Sequence, residues 1–481
     1  MLSACDLFSP QSPVSETCYT DPPPASAQLA LGGEGGGGAG GGGEDGAYVP
    51  GRLLVSYRVG AGLEPAGLNG PGVSALGAAN PIRQRYNLTT LSTLSASPTS
   101  GAGYLSEVVS VPTGADVMEL AAALRRDPRV RYAEPDYYLR PLGVPDAGLP
   151  NDPQLPNDPQ LFEQWHLLEF GLPEAWELET GKAGVVLAVL DSGVDLAHED
   201  LRGRTLPGCD IFNGDNDPSP GVPTQLGDNQ RHGTHVAGIA LASGDNGKGV
   251  AGVAYSGVRL LPVKVFDDDG SQFTSSSVVA KAIRWAAGLS VEGINRNPYP
   301  AKIINMSLGG KEGSVESLND AVQDARNAGS LVVAASGNGF SSEAIYAPAN
   351  APGALAVGSV DSTYLRSDFS NYSATGRTVD LMAPGGFGTN SCGAVYSTVA
   401  PAYEGATESA YGCERGTSMA SPFVAGVAAL IWSQNPGLTD DEVQAKLLSS
   451  ARFTPPMNRA EYGAGVICAD RALGAATLCG E

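Results

Sequence analysis

The feature that most constrains the fold is an alternation that begins near Trp165. Short, nearly uninterrupted apolar runs of strand length take turns with stretches of helical periodicity. The strand-like runs are residues 185–190, 260–266, 303–308, 331–335 and 354–360; the helical ones are 235–242, 278–287, 318–328 and 422–433. A strand that is apolar on both faces must be covered on both, and helices between successive strands supply the crossovers a parallel sheet needs. Residues 157–481 are therefore predicted to form an α/β domain, a doubly wound, mostly parallel sheet with helices on both faces. Such sheets place their sites at the carboxyl ends of strands.

The preceding segment has a different texture. Leu53-Leu54-Val55, Glu107-Val108-Val109-Ser110-Val111 and Val130-Arg131-Tyr132 have strand character. Between the last two lies a helix with Asp116 as N-cap, Val117, Leu120, Ala121 and Leu124 on one face, and Pro128 beyond its end. Residues 48–140 are thus predicted to be a small α+β domain. Residues 141–156, polar and Pro-rich with the repeated Asn-Asp-Pro-Gln-Leu at 151–155 and 157–161, read as a linker. Residues 1–47 lack Lys and Arg, and 32–46 are almost entirely glycine, so this stretch is predicted to be a disordered tether.

Charge narrows the function. Lys and Arg total 29 against 51 Asp and Glu, a net charge of -22, which excludes broad electrostatic binding to nucleic acid or anionic membrane and favours cations. No apolar run reaches the roughly 18 residues of a membrane span. The seven cysteines show no C-x-x-C spacing, so disulfides in an oxidising, extracellular or cell-surface setting are expected. Leu2-Ser3-Ala4-Cys5 resembles the lipobox of bacterial lipoproteins, which implies a lipid anchor at Cys5; a chance tetrapeptide in an unstructured tail reads equally well. Setting Cys5 aside leaves 15 connectivities. Cys392 with Cys413 and Cys468 with Cys479 are the nearest local pairs.

Three segments place reactive polar residues at the ends of apolar elements: Asp191-Ser192-Gly193-Val194-Asp195, His232-Gly233-Thr234-His235 and Gly416-Thr417-Ser418-Met419-Ala420-Ser421-Pro422. Together they resemble the active-site motifs of the subtilisin-like serine peptidases, the subtilases, and their order Asp, His, Ser is that of subtilisin itself. A serine hydroxyl is a weak nucleophile and needs a base within hydrogen-bond reach, which assigns Ser418 and His232. A carboxylate on the other ring nitrogen fixes the tautomer and stabilises the imidazolium, which assigns Asp191. Ala334-Ala335-Ser336-Gly337-Asn338-Gly339 matches the family's oxyanion motif, so Asn338 is expected to donate to the tetrahedral oxyanion.

The same resemblance implies more. Ser307, Leu308, Gly309 and Gly310, with Gly270 in Asp269-Gly270-Ser271-Gln272, match the two edge segments that clamp an extended peptide. Residues of about 48–140 resemble the family's inhibitory propeptide, with cleavage expected between Leu139 and Pro156. Calcium is expected at Asp158, Asp200, Asp245 and Asn246, and at a weaker second site from Asp210, Asp215 and Asp217, because flexible loops of hard oxygen ligands suit it.

Taken singly, each piece has a plainer reading: Asp191 as a strand-end turn residue, Ser418 as an N-cap, the Asp and Asn loops as solvated turns. His166, His198 and His235 read as structural. Rival chemistries fail on order and spacing. All four histidines precede Ser418, which excludes an α/β-hydrolase, and His232-Gly233-Thr234-His235 is not H-E-x-x-H. The expectation is a serine endopeptidase with its own propeptide; the alternative is a catalytically inactive homologue that binds peptides.

Overall fold

The computed structural model describes residues 17–19, 48–60, 73–97, 102–141, 144–145, 164–221, 229–268, 273–387, 393–400 and 409–475. The predicted parallel sheet is present. Its seven strands lie in the order Leu381–Pro384, Leu355–Val360, Leu331–Ala335, Ile303–Met306, Val186–Asp191, Arg259–Lys264, Cys209–Asp210, and every pairing along it is parallel. The central strands are buried along almost their whole length, as apolar side chains on both faces demand. Helices His232–Leu241, Ser276–Ala286, Glu316–Asn327 and Thr417–Gln434 form the crossovers and cover. The last is buried from Thr417 to Ser433 and runs beneath the middle of the sheet, so it is apolar all round rather than amphipathic.

The N-terminal α+β unit is also present, a four-stranded antiparallel sheet in the order Val130–Pro141, Tyr48–Gly60, Ala102–Ser110, Thr89–Ser97. Helix Val117–Leu124 packs on it through Val117, Ala121 and Leu124, and the Asp116 carboxylate accepts from Glu119 N as the sequence predicts. Helix Val73–Tyr86 and strand Thr89–Ser97 were not anticipated. Pro81 inside the helix and a strand composed of Thr, Ser, Leu and Ala obscure both patterns.

Two boundaries differ from expectation. Within the predicted tether, Thr17, Cys18 and Tyr19 dock on the large domain; Cys18 and Tyr19 are buried, and a disulfide joins Cys18 to Cys209 across 191 residues. Cys468 is also disulfide-bonded; Cys5, Cys392 and Cys479 lie outside the described residues. Within the predicted linker, Pro141 and Val144–Pro145 belong to strands paired with the large domain. Among the described residues no helix is long and apolar enough to cross a membrane.

Candidate active site

Asp191 ends the central strand Val186–Asp191, His232 opens a helix, and Ser418 sits in the first turn of the buried helix. The sheet thus delivers residues 41 and 186 positions apart to one point at its carboxyl edge. His232 Nδ1 and Asp191 Oδ1 are 2.8 Å apart, and both side chains are buried. Ser192 N also donates to Asp191 Oδ1 at 2.8 Å, and Gly233 N donates to Ser192 Oγ at 3.1 Å, tying the strand end to the helix start. This closeness needs glycine at 233, where a Cβ would stand 2.2 Å from Gly193 O and 3.0 Å from Asp191 Cβ.

Gly416, before the serine helix, has φ 150°, ψ 167°, and turns Ser418 onto the helix N-terminus. Ser418 Oγ donates to Ser307 O at 3.0 Å, and Ser307 Oγ donates to Ser418 O at 2.8 Å. His232 Nε2 has no hydrogen-bond partner among the described residues. Burial pulls the His232 ring down, but Asp191, by charge and hydrogen bond, and Glu414, by charge, outweigh it and hold the imidazole above its ordinary value.

Asn338 lies beside the serine. Its Oδ1 accepts from Thr417 N and Thr417 Oγ1, both at 2.9 Å, which fixes the amide so that its NH2 is the donor end. Sequence reasoning missed Thr417 in this role, although its place next to Ser418 could have suggested it. Glu414 was also missed. It is buried, its Oε2 has no partner among the described residues, and it stands two strand positions before Gly416, next to His232 and Arg231.

The remaining histidines are structural, as expected. His235 Nε2 lies 3.0 Å from Val395 O and 3.1 Å from Gly412 O, and His198 Nε2 lies 2.9 Å from Ala410 O. Burial pushes His166 and His235 down to about 3, so both stay neutral.

The cleft holds the N-terminal domain. Strand Val130–Pro141 enters between two segments of the large domain: Tyr138 and Leu139 pair with Ser275 and Thr274, then Arg140 and Pro141 pair with Gly309 and Leu308. That ladder stops one residue short of Ser307, the partner of Ser418. On the far side Val144 and Pro145 pair with Arg415 and Glu414. Leu308 and Gly309, two of the expected peptide-binding positions, thus pair with a strand of the chain's own N-terminal domain; Gly270 lies outside the described residues.

Two acids of the same strand hold the domain down. Glu134 accepts from Glu316 N and Ser317 N, both at 2.9 Å, capping one helix; Asp136 accepts from Ser277 N at 3.0 Å and Ser277 Oγ at 2.8 Å, capping another. Arg131 makes a two-pronged ion pair with Asp320. Spaced two apart on a strand, Glu134 and Asp136 necessarily share a face, a signal available in the sequence but meaningless without the partner helices.

The expected calcium ligands are only partly brought together. Asp200 is buried and accepts from Asn246 Nδ2 at 2.9 Å, Val250 N at 3.0 Å and Tyr411 OH at 3.0 Å; Asp245 stands beside them in an exposed turn with φ 56°. Asp158 lies outside the described residues. At the second place Asp210 faces the buried Lys264 ammonium at 3.3 Å, so a side-chain cation already serves it, while Asp215 and Asp217 accept from backbone N–H groups two residues on. Among the described residues no three His, Cys, Asp or Glu side chains converge as a metal cluster.

A carboxylate, an imidazole and a serine hydroxyl gathered with an amide donor at the carboxyl edge of a parallel sheet define a serine hydrolase site. Residues 182–465 match the Subtilase family and residues 85–136 match the fervidolysin N-terminal prodomain. The chain belongs to the subtilase family. It is 33% identical to the extracellular serine proteinase of a Thermus species over 94% of this chain and 96% of that one. It is 34% identical to an extracellular protease of Xanthomonas campestris over 75% of this chain, and spans 62% of that relative's length. Among solved structures, fervidolysin from Fervidobacterium pennivorans, a keratinolytic enzyme related to subtilisin, superimposes with a TM-score of 0.66 at 25% identity, over 89% of this chain and 61% of that one.

Proposed function

We propose that this chain is a serine endopeptidase, made with its own inhibitor, that hydrolyses peptide bonds in extended polypeptides. One observation carries the reading: the prodomain strand lies in the cleft as a substrate lies, paired antiparallel with Leu308 and Gly309 before Ser418 and with Glu414 and Arg415 beyond it. In the reaction His232 Nε2 takes the Ser418 proton as Oγ attacks the carbonyl carbon. Asp191 keeps the other ring nitrogen protonated and stabilises the imidazolium. The oxyanion receives Asn338 Nδ2 and the Ser418 N–H at the helix N-terminus. Collapse breaks the C–N bond, with the His232 proton leaving on the amine, and water then hydrolyses the acyl-serine by the same route. For self-processing we place the cut between Pro141, which pairs with Leu308, and Val144, which pairs with Arg415.

The deciding experiment is labelling of the matured chain with a fluorophosphonate probe beside a casein digest. Labelling at Ser418 with digestion supports the endopeptidase; neither would leave a peptide-binding homologue. Relatives named as extracellular proteases support secretion, and the buried Asp200 carboxylate beside the Asp245-Asn246 turn supports a structural calcium site, since carboxylate and amide oxygens in a flexible loop are hard-ligand chemistry; Asp158 is proposed from the sequence alone. That ion would stabilise loops at the end of the His232 helix and take no part in the bond-breaking. A lipid at Cys5 is proposed from the tetrapeptide alone, and partition into a detergent phase that Cys5→Ser abolishes would test it.

A further inference from the structure

The large domain carries a groove whose occupant is the chain's own N-terminal segment. Asn216 clamps Tyr19 through both ends of its side chain: Tyr19 N donates to its Oδ1 at 2.7 Å, and its Nδ2 donates to Tyr19 O at 3.1 Å. From a second loop, Asn295 N donates to Cys18 O at 2.6 Å and Asn295 Nδ2 donates to Thr17 O at 3.0 Å. Two asparagines from separate loops thus bind three consecutive backbone units. Cys18 is 2% and Tyr19 3% exposed, and the Cys18–Cys209 disulfide closes the groove covalently.

This places a covalent bond to the large domain on the N-terminal side of the prodomain. The prodomain begins at Tyr48 and its strand reaches the nucleophile at Pro141, so it is held at both ends, by the disulfide and by the connection to be cut. We propose that Thr17–Tyr19 is a lasting component of the peptidase. Cleavage between Pro141 and Val144 then yields a two-chain protein whose prodomain stays tied to its own active site until a second cut falls in the 28 residues between Tyr19 and Tyr48. The inference rests on the self-processing reading above. Hydrolysis breaks one C–N bond, adds water across it and moves no electrons, so the disulfide is untouched. A covalent connection fixes the effective concentration of the inhibitor, on the order of millimolar for short connections, regardless of dilution.

The test uses the full chain bearing Ser418→Ala, with the recognition sequence of an added site-specific protease placed in residues 146–156, so that cutting does not depend on the chain's own activity. After cutting, a denaturing gel without thiol should show one species, and thiol should split it into two fragments. With Cys18→Ser added, the fragments should separate without thiol. Two fragments without thiol in the Cys18-containing chain overturn the proposal. In the active chain, peptide mapping of the matured enzyme should find the Thr17–Tyr19 peptide linked to the Cys209 peptide; a mature enzyme lacking it overturns the lasting role. If the active chain is never cut while the Ser418→Ala chain behaves as expected, self-processing fails and the covalent attachment stands.

Discussion

The Ser418 hydroxyl donates to the Ser307 carbonyl oxygen at 3.0 Å, and Ser307 returns a bond from its own hydroxyl to the Ser418 carbonyl. The nucleophile is therefore latched to the peptide-binding edge while the prodomain strand fills the cleft, and only the Asp191–His232 arm of the triad is made. For catalysis Oγ must leave Ser307 for His232 Nε2, which has no partner among the described residues, and catalytic hydrogen bonds of this kind often form only once substrate is bound.

Ser418→Ala should reduce proteolysis to a trace and leave the connection between prodomain and peptidase uncut, with unfolding by heat little changed, because one hydroxyl is lost. Measured casein turnover and the gel mobility of the purified chain check both. Processing of Ser418→Ala at the same place without added protease would refute self-cleavage.

Asn338→Ala should lower kcat by about 10²–10³ with little change in KM, the size known for this donor in subtilisin itself, since the oxyanion exists only on the reaction path. A change in KM alone would reassign Asn338 to substrate binding.

The acid side of the pH–rate profile belongs to His232. The base acts when neutral, and its protonated form is favoured by Asp191 and Glu414, so activity is lost as pH falls through a value above the roughly 6.5 of free imidazole. Glu414→Gln removes that carboxyl, which burial holds above its ordinary value and the nearby His232 and Arg231 pull back towards its charged form, and should move this limb to lower pH. A limb that stays put or moves upward would show that Glu414 does not bear on the base.

Gly233→Ala tests the packing that brings base and carboxylate together. Its Cβ has nowhere to go between Gly193 O and Asp191, and forcing extra volume into a tight contact costs about 1–3 kcal/mol. The expected result is a kcat lowered roughly 10- to 100-fold with a lower melting temperature. Full activity would mean that the strand end yields freely.

Glu134→Ala removes the cap from Glu316 N and Ser317 N. Losing such a cap costs about 0.5–2 kcal/mol, so the prodomain should leave the cleft several-fold faster once both of its connections are cut, read as earlier appearance of active enzyme. Calcium is checked separately by inactivation of the mature enzyme at high temperature: millimolar calcium should prolong its half-life over EGTA, by an amount that grows as RT ln(1 + [L]/Kd).

Much of this protein is legible in its sequence because the governing physics is local. Apolar runs such as Leu331–Ala335 announce buried strands, and Asp116 announces a helix start that the structure reproduces. Gly416-Thr417-Ser418, His232-Gly233 and Asp191-Ser192-Gly193 carry the site in short motifs. What only the tertiary structure decided joins residues with no common period. Cys18 meets Cys209, Glu134 meets Ser317, and Asp210 meets Lys264 because distant strands and loops converge once the sheet closes. The Ser418 hydroxyl faces Ser307 for the same reason: a motif specifies which groups are present, whereas the direction each one points follows from everything packed against it.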